Sequence, residues 1–127
     1  MTGKDILSLT FLAYTDLSAK QYKFMAMPSA TGTVNTAGSA VATIGILQDK
    51  PSAANRPACV RVAGVSKLVL GGTVAAGDRL TPDTNGDGVA ITSDDGEYGA
   101  IALEPGDDND VIEVLLERGT ISGSADD

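Results

Sequence analysis

The chain has no histidine, no tryptophan and a single cysteine in 127 residues. Without histidine it lacks the commonest general base and the commonest transition-metal ligand. A Ser–His–Asp arrangement cannot be built, and none of the many serines and aspartates has a base beside it in the sequence pattern. The lone thiol, Cys59, excludes an intramolecular disulfide. It lies in the apolar run Ala58-Cys59-Val60, where a free cysteine behaves as a small packed hydrophobe. Gly71-Gly72 and Gly86–Gly88 do not open a helical pattern, so neither is a good phosphate cradle. No apolar run approaches the roughly 20 residues of a membrane span. Lys4 is followed at once by Asp5, and the run 6–14 is broken by Ser8 and Thr10, which is not the pattern of a signal peptide. These absences predict a non-enzymatic protein without cofactor or metal, made and kept in a cytoplasm.

What is present is small, apolar and acidic. Hydrophobic residues make up 43% of the chain but only five are aromatic, so the core must be built from Val, Ile, Leu and Ala. Fifteen glycines and five prolines call for many turns. A chain of this length suits one domain and can bury roughly 65–70% of its unfolded surface. The net charge of −8 is unevenly spread. Residues 1–50 hold four basic and three acidic groups; residues 51–127 hold five basic and fourteen acidic ones. Such a chain repels phosphate backbones and anionic lipid, so neither nucleic acid nor membrane is an expected partner.

Along the chain, short β-type runs alternate with turn signals every 8–12 residues, the pattern of an all-β barrel or sandwich. Leu7, Leu9 and Phe11 fall on one face of a first strand. Gln21–Met27 and Val41–Leu47 read as strands, and residues 28–40 between them, rich in Gly, Ala and Ser, as a long loop. Pro51–Pro57 is a proline-bounded loop. Ala58–Val65 continues into Lys67–Leu70 past Gly64, which marks a bulge or corner. Further strands are expected at Arg79–Thr81, Val89–Thr92, Tyr98–Leu103 and Val111–Glu117. The expected division is an N-terminal arm or first strand over 1–15, a β domain over 16–118 and a polar tail over 119–127.

One stretch has metal-like spacing. Asp83-Thr84-Asn85-Gly86-Asp87-Gly88 matches the first half of a D-x-N-x-D-G calcium loop, with Asp94 at the twelfth position. The twelfth ligand is normally a longer, bidentate Glu, the eighth position holds Ala90, and the flanks are strand-like rather than helical. Asn-Gly and Asp-Gly are also standard in tight β turns because they tolerate positive φ. A structural turn is the favoured reading, and a calcium-binding β module of a secreted or surface protein is the alternative. Asp107-Asp108-Asn109-Asp110 reads as a solvated acidic turn. Phe24-Met25-Ala26-Met27 reads as core or interface filler.

Six segments in order carry a family resemblance. They are Asp16–Tyr22 (DLSAKQY), Gly45–Pro51 (GILQDKP), Val62–Lys67 (VAGVSK), Ala76-Gly77-Asp78 with Leu80-Thr81, Gly99–Glu104 (GAIALE) and Ile112–Leu116 (IEVLL). This order resembles the small capsid decoration, or cement, proteins of tailed bacteriophages, over about residues 16–116. The chain departs from the commoner pattern at Thr84–Gly88, which is more calcium-like. The resemblance implies a mostly β protein that binds the outer surface of the capsid through the major capsid protein. It also implies a homo-oligomer, a trimer on the shell, that stabilises the shell against internal DNA pressure. With the near-neutral first fifty residues as the binding side, Phe11, Tyr14, Phe24, Met25 and Met27 are the candidate capsid or subunit contacts.

Overall fold

The computed structural model describes residues 6–28, 32–38, 43–91 and 97–120, and over these the chain is all-β. Its strands are β1 (Leu7–Ala13), β2 (Phe24–Ala26), β3 (Thr33–Thr36), β4 (Gly45–Leu47), β5 (Pro57–Val69), β6 (Arg79–Pro82), β7 (Gly88–Ala90), β8 (Glu97–Ala102) and β9 (Val111–Thr120). Among the described residues no helix is long and apolar enough to cross a membrane.

The strands pair in the order β1-β3-β2-β4-β5-β9-β8-β6-β7, with β1 also pairing β5. That extra pairing closes the first five strands into a ring, while β5-β9-β8-β6-β7 is a sheet left open by its ladders, its β7 edge touching the end of β5 only through a single bridge between Gly88 and Leu70. The architecture is therefore a ring that continues into a sheet, not a clean barrel. β5 belongs to both parts. Up to Ala63 it pairs with β1 and β4; from Gly64 to Val69 it pairs with β9. The changeover is the corner expected at Gly64, whose φ is +95°. Just before it, Leu7 pairs Ala63 while Ser8 pairs Arg61, so Val62 is the extra residue of a β-bulge, the device that bends a strand from one sheet into another.

Two cores follow from this layout. Ala13, Leu17, Met25, Val34, Leu47, Ala58 and Val60 fill the ring. Phe24, Ile46, Leu68, Leu70, Leu80 and Val114 belong to a second cluster that joins the ring to the open sheet. β2 lies between them, so its successive side chains, which point to opposite faces, enter different cores: Phe24 the second, Met25 the first.

The structure corrects several sequence expectations. The loop over 28–40 contains β3. Thr33–Thr36 pairs with β1 on one side and β2 on the other, and Val34 is fully buried. One Val in a Gly/Ala/Ser/Thr stretch is enough for a strand when both neighbours are already in place. Of the arm or first strand expected over 1–15, the described part is the strand, and β1 closes the ring. The tail over 119–127 begins later, because Gly119 and Thr120 still pair with Tyr98 and Glu97; residues 121–127 lie outside the described residues. Pro57 opens β5 rather than closing a loop, at the first position of the strand, where a missing N–H costs no ladder bond. The strand expected over 41–47 spans Gly45–Leu47, with 41 and 42 outside the described residues.

Candidate interaction surface

The exposed apolar side chains gather on β1. Along its inward face Ala13 is fully buried, Phe11 is half-buried against the ring core, and Leu9 and Leu7 are 44% and 51% exposed. The face that is core at one end of the strand is surface at the other. On the opposite side Leu12 and, just past the strand, Tyr14 are exposed, as is Met27 after β2. Over residues 7–11 β1 pairs only with β5, since β3 reaches no farther than Leu12 and Ala13. Among the described residues this leaves its other edge open, and unpaired edges are sites where another chain can add.

Of the five candidate contacts, then, Tyr14 and Met27 are on the surface and Phe11 is at its margin. Phe24 and Met25 are 0% exposed and have no surface to offer in this fold. Of core or interface filler, the two readings their sequence allows, the structure makes them core, because a strand between two cores is buried on both faces. Sequence reasoning left Ile6, Leu7, Leu9 and Leu12 out of the contact set. The signal was present as an apolar stretch with only Ser8 and Thr10 against it, too rich for a strand covered on one face.

Charge divides with the architecture. Residues 6–61 carry five basic groups against two acidic ones, and residues 62–120 three against twelve. The ring is thus the cationic pole of an acidic protein. At its edge Ser18 donates its backbone N–H to Asp16 Oδ1 at 2.9 Å, which holds the Asp16 carboxyl below its ordinary value.

The calcium-like turn uses its carboxylates internally. Asp83 Oδ1 accepts the backbone N–H groups of Asn85 (2.8 Å) and Asp87 (3.1 Å), the Asx pattern of a self-capped turn. Asp87 Oδ1 lies 2.9 Å from Lys23 Nζ. Phe24 donates its N–H to the Gly86 carbonyl at 2.9 Å. Gly86 has φ +80°, and a Cβ there would run into Thr36 Cγ2. The turn therefore clasps β2 and β3 of the ring. Among the described residues no group of three or more metal-ligating side chains converges; Asp94, the twelfth position of the loop pattern, lies outside them. Calcium or a chelator is expected to leave the melting temperature unchanged. A calcium-dependent rise, lost in Asp83→Ala, would establish a cation site instead.

Cys59 is half-buried on β5, and its N–H donates to Asp49 Oδ1 at 3.1 Å.

The fold and these surfaces define a small all-β module with a closed ring, an open sheet and an apolar strand at the ring's edge. No family model matches the chain, and no curated protein matches it. Among solved structures it is similar to the N base of the head fiber protein gp8.5 of bacteriophage phi29, with a TM-score of 0.71 and 15% sequence identity. The match covers 93% of this chain and 99% of that one. At that identity the likeness is one of fold, and it extends over nearly the whole of both chains.

Proposed function

We propose that the chain is a non-enzymatic structural protein of a phage head. It binds the outer surface of the capsid, with the major capsid protein as its partner, and stabilises the shell against internal DNA pressure. The observation that carries this reading is the near end-to-end fold match to the base of a phage head fiber. The six decoration-like segments support it independently, since they are a property of the sequence and not of the fold.

In this reading the ring is the capsid-facing pole. Its exposed Leu12, Tyr14 and Met27 supply apolar contact, the open edge of β1 offers backbone groups to a partner strand, and the acidic sheet points outward. Each subunit bridges neighbouring capsid subunits, so rupture of the shell must also break decoration contacts. Repetition over a symmetric lattice gives large avidity from weak single contacts. Subunits act as a homo-oligomer, a trimer on the shell. The protein is made in the host cytoplasm and ends on the virion surface.

The test is to mix purified protein with empty expanded heads of the phage that encodes it and image the result. Saturated, symmetric occupancy is expected; bare shells would refute the reading. Removing residues 1–15 is a poor probe, because β1 closes the ring and its loss would unfold it. The better variant is Tyr14→Ser with Met27→Ser. It is expected to lower occupancy at least about tenfold while leaving stability within about 0.5 kcal/mol, as is usual for surface substitutions.

A further inference from the structure

Between the ring and the open sheet, where β5 crosses from one to the other, lies a hollow of about 180 Å³ bordered by Tyr22, Gln48, Arg61, Val65, Lys67 and Glu113. It is unusual in this acidic chain because it holds two of its nine basic residues, one of them held by hydrogen bonds. Arg61 Nε donates to Ser8 Oγ (3.3 Å) and its Nη1 to the Val65 carbonyl (3.1 Å). Lys67 Nζ stands 5.9 Å from the centre of the Tyr22 ring. Tyr22 itself is held at φ +66° by two backbone bonds, its N–H to the Leu47 carbonyl and its carbonyl from Val69 N–H. All these partners are neutral. Among the described residues neither Arg61 nor Lys67 is in an ion pair; Lys67 sits across the strand pair from Glu113 without closing on it. The hollow thus keeps one net positive charge and an ordered guanidinium with no anion. Ser8, the cross-strand neighbour of Arg61, lies on the face of β1 opposite Leu7 and Leu9, so the hollow opens on the outer side of the ring.

The chain bears the complement of this surface elsewhere. The turn between β8 and β9 presents Glu104, Asp107, Asp108 and Asp110, all exposed, and it is flanked by Leu103 and Val111, exposed by 47% and 48%. It is stiff: Asp110 N–H donates to the Asp107 carbonyl and Asp107 N–H to Asp110 Oδ2, each at 2.9 Å. The backbone bonds between Leu70 and residues 109 and 110 tie it to the far end of β5. These bonds hold it beyond the end of β5, and none of its residues borders its own hollow. A second copy can bring it there.

We propose that copies of this chain associate head to tail, the acidic turn of one seating its Asp108 carboxylate in the Arg61–Lys67 hollow of the next. Anion meets unpaired cation. Because the two surfaces differ, the contact is heterologous and closes into a ring when the rotation allows. This rests on the homo-oligomer part of the reading above and assigns its contact.

The experiment needs no capsid. Lys67→Glu and Asp108→Lys both lie at exposed positions, and circular dichroism would confirm their folding. Each alone is expected to weaken self-association at least about tenfold in sedimentation, as like charges meet in a defined contact. Combining both reversals in one chain is expected to restore association, because the swapped charges then meet at every contact. Carbodiimide, which joins only an amine and a carboxylate already in contact, should link Lys67 to residues 107–110 between heavy- and light-isotope copies. A wild-type chain that stays monomeric up to its solubility limit, or an oligomer indifferent to both charge reversals, overturns the contact. A monomer that nonetheless coats heads would refute this contact alone. An associating chain that ignores heads would refute the capsid reading and leave the contact standing.

Discussion

Phe24→Ala is expected to lower the stability of the fold by about 3–5 kcal/mol, the usual cost of emptying a buried aromatic site. Phe24 is fully buried and belongs to the cluster of Ile46, Leu68, Leu70, Leu80 and Val114 that spans the ring and the open sheet. No other aromatic residue is fully buried among the described residues, so filling the cavity needs smaller aliphatic side chains or a shift of the half-buried Tyr22 packed against the cluster. Its backbone N–H is also tied to the Gly86 carbonyl, which limits how far β2 can move to fill the space. The measurement is urea unfolding followed by circular dichroism. The midpoint should fall with the slope unchanged, since a change in slope would report a less compact folded or denatured state. Met25→Ala is expected to cost about 2–5 kcal/mol for the same reason in the other core. A loss below about 1 kcal/mol for Phe24→Ala would mean that ring and sheet do not share a core and that the second cluster contributes little to their docking.

That result bears on what the residue pattern could reveal. The all-β class was legible because turn chemistry recurs at Gly71-Gly72, Ala76-Gly77-Asp78, Asp83–Gly88 and Gly106–Asp110, and each of these does separate strands. The corner at Gly64 was legible because a glycine inside an apolar run has few other uses. The ring was not legible. Its closing contact joins β1 to β5 across some fifty residues, and its β3 has a single large apolar side chain, Val34. Periodicity speaks of one strand at a time and is silent about which strands share an edge. For the same reason Phe24 and Met25 could not be told from surface residues: burial on both faces of β2 depends on two cores that no local window contains. The exposed strip on β1 was half legible. The alternation of Leu7, Leu9 and Phe11 was visible, but not that the ring covers only the end of that face nearest Ala13. The clasp at Asp83–Gly88 was legible as a turn, while the residue that engages it, Lys23, stands some sixty positions earlier.

The ion pair in that clasp gives the second large expected effect. Lys23 Nζ and Asp87 Oδ1 are 2.9 Å apart, with side chains only 17% and 11% exposed. Asp87→Ala leaves the ammonium of Lys23 in a site that water barely reaches, and is expected to cost about 3 kcal/mol, near the lower end for breaking a largely buried pair. Lys23→Met strands the carboxylate instead, although the Met side chain keeps most of the apolar packing of the lysine stem. Lys23→Met with Asp87→Leu removes both charges and fills the space, and is expected to recover most of the loss, because a buried pair replaced by apolar groups of similar volume is often close to neutral. The cycle of single and double variants, read by urea unfolding, is expected to show a coupling of about 1–3 kcal/mol, the range for residues in direct contact. A coupling below about 0.5 kcal/mol would class the pair with ordinary surface salt bridges. Stability of this kind cannot come from the turn alone, since Asp83 already caps it. It comes from where the turn is fastened. Lys23 immediately precedes Phe24, so the same few residues that fill the core between ring and sheet also hold the 83–88 turn against β2. Losing the ion pair should therefore loosen the packing around Phe24. Combined with Phe24→Ala, Asp87→Ala is expected to cost less than the sum of the two single losses, as neighbours that share a contact do.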